Sequence, residues 1–580
     1  MGSSMTWART VRHPRFLLSV LFLVYLLSVY QKLGQLPNGD EPYFVYWARS
    51  FHHEEGPPPL DPSFIVHPPL YPLILSFVQT TFGDTVYLLR LTGAAFFGLT
   101  LFLLYEVCLK AFRLRQEVAV LTVLLYAINP LVVQGSVLLD IDHTIYPFLL
   151  LLSFQQMMRF LKRPSVATLL AASLVYGVCY WAKATTILVF FPVACLGLLD
   201  KRLRGLARKA LLACLGGFVF FITTFWLLSR FWNLPLILPF RFGIATYYLP
   251  MPGKGVTFLP LLREGIRTAI LVILWIGPSF LLISLWGAFR IFRYGREGHF
   301  EVSALKSTAL LFILPLGLYT FLGHHIFGYP KYQVPAILFG VILIGILLED
   351  FEKIERLPFL NVKTQIVCLC LLTLFYFLTL GDPLYNFIFK TRTHLLQGGA
   401  VWGPLGLTGL HLLTVLGSVI LLSFVMSKYS PSQNRRGVVA SVCCLSVIAY
   451  SLSLGVRQGM ADYRTGYMYG APREELPAVC EFLKQRGISG EEVFAEHEIS
   501  FCLGSPQYHS ARRWILDDPS EVSKRISGEG IRAIVYGLTT HKISQIRTLE
   551  RPEWQSVLGE HFRRVRIHTQ EVWVDKRIDF

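Results

Sequence analysis

Long apolar runs separated by short polar segments make up most of the chain. A membrane-spanning helix needs about 20 mostly apolar residues. The run at 184–199 is short, and treating Lys183 as a turn separates it from the run before it. The predicted spans are 16–34, 86–108, 118–138, 144–160, 166–182, 184–199, 210–229, 268–289, 307–322, 334–348, 365–380, 405–426 and 438–456. The sequence therefore predicts an α-helical polytopic membrane protein with about 13 transmembrane helices.

Composition and charge agree with this prediction. Of the 580 residues, 53% are hydrophobic and 16% are charged, whereas soluble proteins carry about 25% charged residues. With the N-terminus inside, the inner segments hold 24 Lys and Arg residues and the outer segments hold 12, which is the positive-inside pattern. The net charge of +17 arises in these short loops, because residues 458–580 hold 17 basic and 18 acidic residues. We therefore expect no nucleic-acid partner.

This topology divides the chain at about residue 456. Residues 1–456 form the predicted transmembrane domain, with a long Pro-rich outer loop at 35–85, and residues 457–580 form a small α/β domain outside the cytoplasm. Cys480 and Cys502 of that domain are candidates for a disulfide, but sequence spacing alone does not place them within bonding distance. The predicted elements of the tail are helices at 474–487 and 519–526 and strands at 492–501 and 532–535.

The outer loop contains one short apolar stripe. Phe44, Trp47, Ala48 and Phe51 recur at the spacing of one helix face. Such a helix either lies in the plane of the membrane interface or packs as an ordinary helix against the protein. The sequence leaves both alternatives open.

Ionisable residues gather at the predicted outer face. Asp140 and Asp142 lie between the third and fourth spans, Lys183 between the fifth and sixth, and Lys331 between the ninth and tenth. The other outer segments hold Asp40, Glu41, His67, Arg241, His324 and His325. Charged groups at membrane depth are costly, so they indicate a functional site. Arg90, at the outer start of the second span, is instead predicted to anchor its helix at the interface.

These residue types suit the transfer of a group from a lipid phosphate. A carboxylate such as Asp40 can take the proton of an attacking hydroxyl or amine, although an Asp before an apolar helix is also a common N-cap. A phosphate leaving group needs cations or hydrogen-bond donors where its charge develops. Lys183 has the alternative of snorkelling to the interface. The candidate phosphate ligands are Lys183, Lys331, Tyr332, His67 and Arg241.

A divalent metal ion is a second use for part of this set. Asp140 and Asp142, together with His324 and His325, carry the oxygen and nitrogen ligands that such ions accept. Ordinary loop polarity and a cap for the fourth span explain the same residues. The sequence leaves the metal open, and no other cofactor is expected.

Several short motifs, taken in order along residues 15–350, resemble the protein O-mannosyltransferase-like glycosyltransferases. Those are GT-C enzymes, and they include the lipid A aminoarabinose transferases. The motifs are Asn38-Gly39-Asp40-Glu41, His67-Pro68-Pro69-Leu70-Tyr71, Leu89-Arg90-Leu91, Asn129-Pro130, the Asp140/Asp142 element, Ala182-Lys183 and Lys331-Tyr332-Gln333-Val334-Pro335.

The resemblance implies inverting transfer of a sugar from a polyprenyl-phosphate donor, on the extracytoplasmic side of the inner or plasma membrane. It implies that Asp40 is the base and that Glu41 helps to place the acceptor. It also implies that Lys331 and Tyr332 contact the donor phosphate. His67 stands where the aminoarabinose transferases carry a lysine, which weakens the case for lipid A as acceptor. The expected acceptor is therefore an envelope lipid, glycan or protein.

A transporter or flippase of a lipid-linked saccharide is the alternative function. Transporters tend to show internal repeats and polar groups near the middle of the membrane. This chain shows no repeated motif between its halves, and its polar groups cluster at one face. The enzyme is the favoured hypothesis.

Overall fold

The computed structural model describes most of the chain, and its helices are numbered here in chain order. The described residues are 14–34, 37, 41–51, 68–199, 203–231, scattered positions in 265–273, 276–294, 299–321, 330–353, 362–379, 402–429, 435–460, 475–495, 497–504, 528, 530–536, 552–567 and 570–578. The helices of residues 1–456 are α1 (Pro14–Leu33), α2 (Glu41–Arg49), α3 (Leu70–Phe82), α4 (Val86–Lys110), α5 (Gln116–Ala127), α6 (Pro130–Ser136), α7 (Ile145–Lys162), α8 (Val166–Ala182), α9 (Ile187–Leu199), α10 (Arg204–Phe231), α11 (Pro278–Tyr294), α12 (His299–Phe321), α13 (Val334–Lys353), α14 (Val362–Thr379), α15 (Trp402–Tyr429) and α16 (Arg435–Met460).

The described part of the chain is that of an integral membrane protein. By length and composition alone, four of its helices can cross a membrane, at Val86–Lys110, Arg204–Phe231, Lys331–Asp350 and Thr408–Lys428. Eight shorter apolar helices accompany them. One of the eight, α3, lies in the segment 35–85 that the sequence analysis treated as a loop.

Each predicted span coincides with helix, but two of the spans are interrupted. Residues 118–138 form α5 and α6 rather than one helix, because Pro130 has no backbone N–H to continue the first. Asn129 caps the second helix, and its Oδ1 accepts from the backbone N of Leu131 at 3.1 Å. The span predicted at 268–289 is broken by Gly277, whose φ of 95° belongs to the left-handed region.

Helix α13 lies at the centre of the bundle. An 18-residue window of Lys331–Asp350 is entirely buried inside the protein, as expected of a helix that is hydrophobic on every side. Helices α5, α7, α11 and α12 pack around it. The residues that lead into α13, including Lys331 and Tyr332, therefore lie in the interior.

Helices α8 and α10 approach each other through small residues. A Cβ on Gly217 would lie 2.7 Å from the carbonyl oxygen of Ser173, and a Cβ on Gly177 would lie 2.9 Å from the carbonyl oxygen of Gly217. Small residues allow such close contact between helices in a membrane. This contact holds α8 in place just before Lys183.

The apolar stripe of loop 35–85 forms a packed helix. Phe44, Trp47 and Ala48 of α2 are buried, and α2 packs against α3. Of the two alternatives, packing against the protein is therefore the one observed, since a helix lying in the interface plane would leave this face to lipid.

The C-terminal segment has its own hydrophobic core around a four-stranded sheet. The strand order is β1-β2-β4-β3, with β1 parallel to β2 and the other neighbours antiparallel. The elements are α17 (Glu475–Gln485), β1 (Val493–Phe494), α18 (His497–Cys502), β2 (Ala533–Tyr536), α19 (Pro552–His561), β3 (Phe562–Ile567) and β4 (Gln570–Asp575). Cys480 of α17 and Cys502 of α18 form a disulfide, with their Cα atoms 6.3 Å apart.

Two of the predicted tail elements are confirmed and one is wrong. Helix α17 lies within 474–487 and β2 overlaps 532–535. The strand predicted at 492–501 is limited to β1, and α18 follows it. Ile499 and Cys502 are three residues apart and therefore lie on one face of α18. This is the face that the disulfide joins to α17. The helix predicted at 519–526 lies outside the described residues.

Candidate active site

Two buried ion pairs bring together three segments that are far apart in the sequence. Lys331 Nζ donates to Asp140 Oδ2 at 2.7 Å, and Lys183 Nζ pairs with Asp142 Oδ1. These four side chains are at most 6% exposed. The structure thus places four of the predicted site residues in one cluster.

The turn between α6 and α7 positions the two carboxylates. Asp140 Oδ1 accepts from the backbone N of Asp142 at 2.8 Å, and Thr144 Oγ1 donates to the carbonyl oxygen of Asp140 at 2.5 Å. Asp residues often hydrogen-bond to the backbone two residues on in such turns. One carboxylate oxygen of Asp140 therefore stabilises the turn, and the other accepts the hydrogen bond from Lys331.

Lys183 occupies the junction between α8 and α9. Its backbone is extended, with φ −154° and ψ 118°, which ends the first helix. Thr186 Oγ1 donates to the carbonyl oxygen of Lys183 at 2.6 Å. The side chain is 1% exposed, so the alternative that Lys183 snorkels to the interface is wrong.

Aromatic rings surround both ammonium groups. Lys183 Nζ lies 4.3 Å from the ring centroid of Tyr332, and Lys331 Nζ lies 5.7 Å from the same centroid. Both distances are within the range of cation–π attraction. Tyr146 lies 5.5 Å from Lys183 Nζ, and Tyr319 stacks on Tyr332 at 5.5 Å. Tyr146 and Tyr319 were not predicted from the sequence, because nothing distinguishes them from the other tyrosines of the apolar runs.

A third buried ion pair joins Glu41 to Arg90. The guanidinium donates to both carboxylate oxygens, at 2.9 and 2.8 Å, and to the carbonyl oxygens of Lys32 and Leu33. Arg90 is 0% exposed. The prediction that it anchors α4 at the interface is therefore wrong, because the Arg90 side chain points into the bundle interior.

Glu41 also contacts the turn that carries the two aspartates. Its Oε1 accepts from the backbone N of Leu139 at 3.1 Å, one residue before Asp140. A charged carboxylate that accepts three hydrogen bonds makes strong, oriented contacts. Glu41 and Arg90 therefore hold α1, α2, α4 and the turn 137–144 together.

Several buried polar atoms at the cluster lack a hydrogen-bond partner within the described residues. They are Asp142 Oδ2, both ring nitrogens of His143 and Gln333 Oε1. Most buried polar groups in native proteins are paired, so each exception requires an explanation such as an unseen water or ligand. Neither His143 nor Gln333 was predicted as a site residue, although Gln333 belongs to the motif that begins at Lys331.

Five predicted site residues lie outside the described part of the chain. They are Asp40, His67, Arg241, His324 and His325. The roles predicted for them, including Asp40 as the base, stay predictions.

The described residues do not fit a metal centre. Among them, no three His, Cys, Asp or Glu side chains are grouped so as to hold a metal ion. Asp140 and Asp142 each give an oxygen to a lysine, and a neighbouring ammonium competes with a cation for the same carboxylate. His324 and His325, the other predicted ligands, are not among the described residues.

The C-terminal segment contacts the helix that begins at Glu41. Phe501 of α18 packs edge to face on Tyr46 of α2, with ring centroids 5.7 Å apart. The guanidinium of Arg49 lies 5.4 Å from the Phe501 ring and pairs with Asp84 at 2.6 Å. Phe501 is adjacent to Cys502, so the disulfide ties the residue next to this contact to α17.

Comparisons with known proteins agree with the resemblance found in the motifs. Residues 66–228 match the family model described as dolichyl-phosphate-mannose-protein mannosyltransferase. This stretch includes Arg90, Asp140, Asp142 and Lys183. No protein with a curated description matches the chain in sequence.

Two solved structures are similar to nearly the whole chain. ArnT from Cupriavidus metallidurans bound to undecaprenyl phosphate gives a TM-score of 0.56 at 17% identity, covering 96% of this chain and 97% of that chain. The apo state of the same protein gives 0.54 at 17% identity, covering 99% and 98%. At this identity the likeness establishes the fold. The chain therefore has the GT-C fold of ArnT, and its motif resemblance to the mannosyltransferase-like family is supported by the match over residues 66–228.

Proposed function

We propose that this protein is a glycosyltransferase that moves a sugar from a polyprenyl-phosphate carrier to an acceptor of the cell envelope. One observation carries the proposal: Lys183 and Lys331 meet at Tyr332 in a buried cluster of a GT-C fold. ArnT, which shares this fold, has a structure bound to undecaprenyl phosphate. A lipid phosphate is the ligand that two ammonium groups inside a membrane bundle suit best.

The proposed reaction uses these groups to stabilise the leaving phosphate. As the acceptor oxygen or nitrogen attacks the anomeric carbon, the bond from that carbon to the phosphate oxygen breaks and negative charge grows on the lipid phosphate. Lys183 and Lys331, with the hydroxyl of Tyr332, donate to that charge. His67 and Arg241 are proposed as further phosphate ligands.

Asp40 is the proposed base. It takes the proton of the acceptor as the new bond forms, and attack opposite to the leaving phosphate inverts the anomeric configuration. Glu41, the next residue, is already held by Arg90 and the backbone N of Leu139. We therefore assign Glu41 the positioning of this segment in preference to a direct contact with the acceptor.

Two unpaired acceptors at the cluster suit the sugar. Asp142 Oδ2 and Gln333 Oε1 are buried without a hydrogen-bond partner in the described part of the chain. Sugar hydroxyls are donors that satisfy such atoms. The positive-inside pattern supports an extracytoplasmic site and C-terminal domain, as does the Cys480–Cys502 disulfide, which is typical of oxidising compartments.

Purified protein assayed with a polyprenyl-phosphate sugar tests the chemistry. Asp40→Asn should lower turnover by roughly 10²–10⁴-fold, because the amide keeps the shape of the carboxylate and accepts no proton. Asp61→Asn, in the same loop, is the matched control and should retain turnover. Full turnover by the Asp40→Asn protein would remove Asp40 as the base.

Mass analysis of envelope lipids, glycans and proteins from cells with and without the gene identifies the substrates. The proposal predicts one class of molecule lighter by a single sugar residue in cells without the gene. Accumulation of the lipid-linked sugar on the cytoplasmic side of the membrane in cells without the gene would favour a flippase instead.

A further inference from the structure

A groove with two arginines lies where α9 ends and α10 begins. Its cavity is about 450 Å³ in volume. Its lining residues are Leu198, Arg204, Arg208, Leu211, Leu212 and Leu215. Two cations and four leucines make this lining amphipathic.

The groove is far from the candidate active site. Helix α9 starts close to Lys183 and runs 13 residues to Leu199, which is about 20 Å at 1.5 Å per residue. The groove begins at that distant end. The donor phosphate proposed at Lys183 therefore does not reach it.

The charged and apolar residues lie along one stripe of α10. Arg204, Arg208, Leu212 and Leu215 fall at i, i+4, i+8 and i+11, the spacing of a single helix face. Both arginines are exposed, and Leu212 and Leu215 are 53% and 46% exposed. Exposed leucines on a membrane helix face acyl chains, so the stripe runs from cations at one end into the hydrocarbon.

Neither arginine is neutralised by an acidic side chain of the described residues. Within the described residues, Arg204 Nε donates to the carbonyl oxygen of Leu198 at 3.2 Å. This contact holds the guanidinium at the mouth of the groove. Guanidinium groups bind phosphate with paired hydrogen bonds, and both remain able to do so.

We propose that this groove binds one anionic phospholipid, with its phosphate between Arg204 and Arg208 and an acyl chain along Leu212 and Leu215. Basic pockets between transmembrane helices at the cytoplasmic side are typical sites for anionic headgroups. The basic residues of positions 201–209 are on the cytoplasmic side in the positive-inside prediction. The headgroup of a phospholipid matches the arginines of the stripe and its acyl chain matches the leucines, whereas a soluble phosphate would contact only the arginines.

Native mass spectrometry of the full chain from nanodiscs of phosphatidylcholine and phosphatidylglycerol tests this site. The wild-type protein should retain one phosphatidylglycerol, and Arg204→Gln/Arg208→Gln should bind it about 30-fold more weakly, the effect of two interfacial cations. Arg159→Gln/Lys162→Gln is the matched control. It removes two exposed cations at the same end of the bundle, from α7, and should retain the lipid as the wild-type protein does.

Four results would overturn the proposal. In the first, Arg204→Gln/Arg208→Gln retains the phosphatidylglycerol as well as the wild-type protein does. In the second, the α7 control loses the lipid as much as Arg204→Gln/Arg208→Gln does. In the third, phosphatidylcholine displaces the bound lipid as readily as phosphatidylglycerol does. In the fourth, the protein retains polyprenyl phosphate in preference to phosphatidylglycerol. None of these measurements depends on catalytic activity, so they test the lipid site independently of the proposed glycosyl transfer.

Discussion

Two ion pairs of this chain each join a basic side chain to a carboxylate, one in the interior and one at the surface. The side chains of Lys183 and Asp142 are 1% and 2% exposed, whereas those of Arg564 and Glu571 are 53% and 43% exposed. Exposed pairs contribute about 0 to 1 kcal/mol to stability. Burying a charged pair costs so much desolvation that apolar residues of the same size are often as stable. Stability therefore does not explain why the membrane bundle keeps its charges, whereas the proposed binding of a lipid phosphate does.

The largest expected effect follows removal of one buried charge. Lys183→Met leaves Asp142 as an uncompensated buried carboxylate, which should destabilise the protein by about 3–5 kcal/mol and abolish transfer. Adding Asp142→Asn removes the stranded charge. Thermal unfolding and turnover of the single and double variants, in the same detergent, separate the two effects.

The double variant is the decisive member of that series. It should recover most of the lost stability and none of the activity, because the lysine that is proposed to bind the phosphate is still missing. Recovery of both stability and activity would mean that the Lys183–Asp142 pair only stabilises the fold. This pair would then differ from the Arg564–Glu571 pair in burial alone.

The next largest effect is expected at the Glu41–Arg90 pair. Arg90→Met should destabilise the protein by about 3–5 kcal/mol, since it strands Glu41 and two carbonyl oxygens. Arg90→Lys keeps the charge but loses the bidentate geometry and should be intermediate in stability. Wild-type stability in the Lys variant would show that charge alone is sufficient and that the observed geometry is not needed.

A smaller effect is expected where the C-terminal segment meets α2. Phe501→Ala removes the edge-to-face contact with Tyr46, worth about 0.5–1.5 kcal/mol. Hydrogen exchange across 41–49 should therefore quicken by about two- to tenfold. Phe482→Ala is the matched control, because Phe482 also carries an arginine on its ring but packs in the C-terminal core. Equal exchange in both variants would show that the contact does not stabilise α2.

The smallest effect is expected at the exposed pair. Arg564→Gln should change the stability of the C-terminal segment by less than about 1 kcal/mol and leave turnover unchanged. Chemical denaturation and the transfer assay provide the two values. A loss as large as that of Lys183→Met would break the comparison between buried and exposed pairs.

The sequence predicted the bundle and its charged cluster because both follow from strong, local patterns. Long apolar runs marked the helices of the bundle, and the few charges between these runs were expected to be functional or paired. Asp140, Asp142, Lys183 and Lys331 were therefore identified without knowledge of which carboxylate pairs with which lysine. That pairing depends on helix packing across 191 residues for one pair, and no local pattern encodes it.

Other features were beyond local patterns. Arg90 has the position of an interface anchor, and only the packing of α1, α2 and α4 turns its side chain inward. The strand predicted at 492–501 failed because β1 has a partner, β2, for two residues alone. Residues His497–Cys502 form α18 instead, and Cys502 of this helix is joined to α17 by the disulfide. Tertiary context overrides intrinsic preference in such short elements.

The claim that Lys183 and Lys331 bind the donor phosphate is tested most directly by the affinity for a polyprenyl phosphate. Its Kd should be measured in detergent for the wild-type protein, for Lys183→Met/Asp142→Asn and for Lys331→Met/Asp140→Asn, each shown to be folded. The account predicts that each double variant binds at least about tenfold more weakly, since each loses a charge-assisted contact of about 1.5–3 kcal/mol. Unchanged affinity in both folded variants would contradict it.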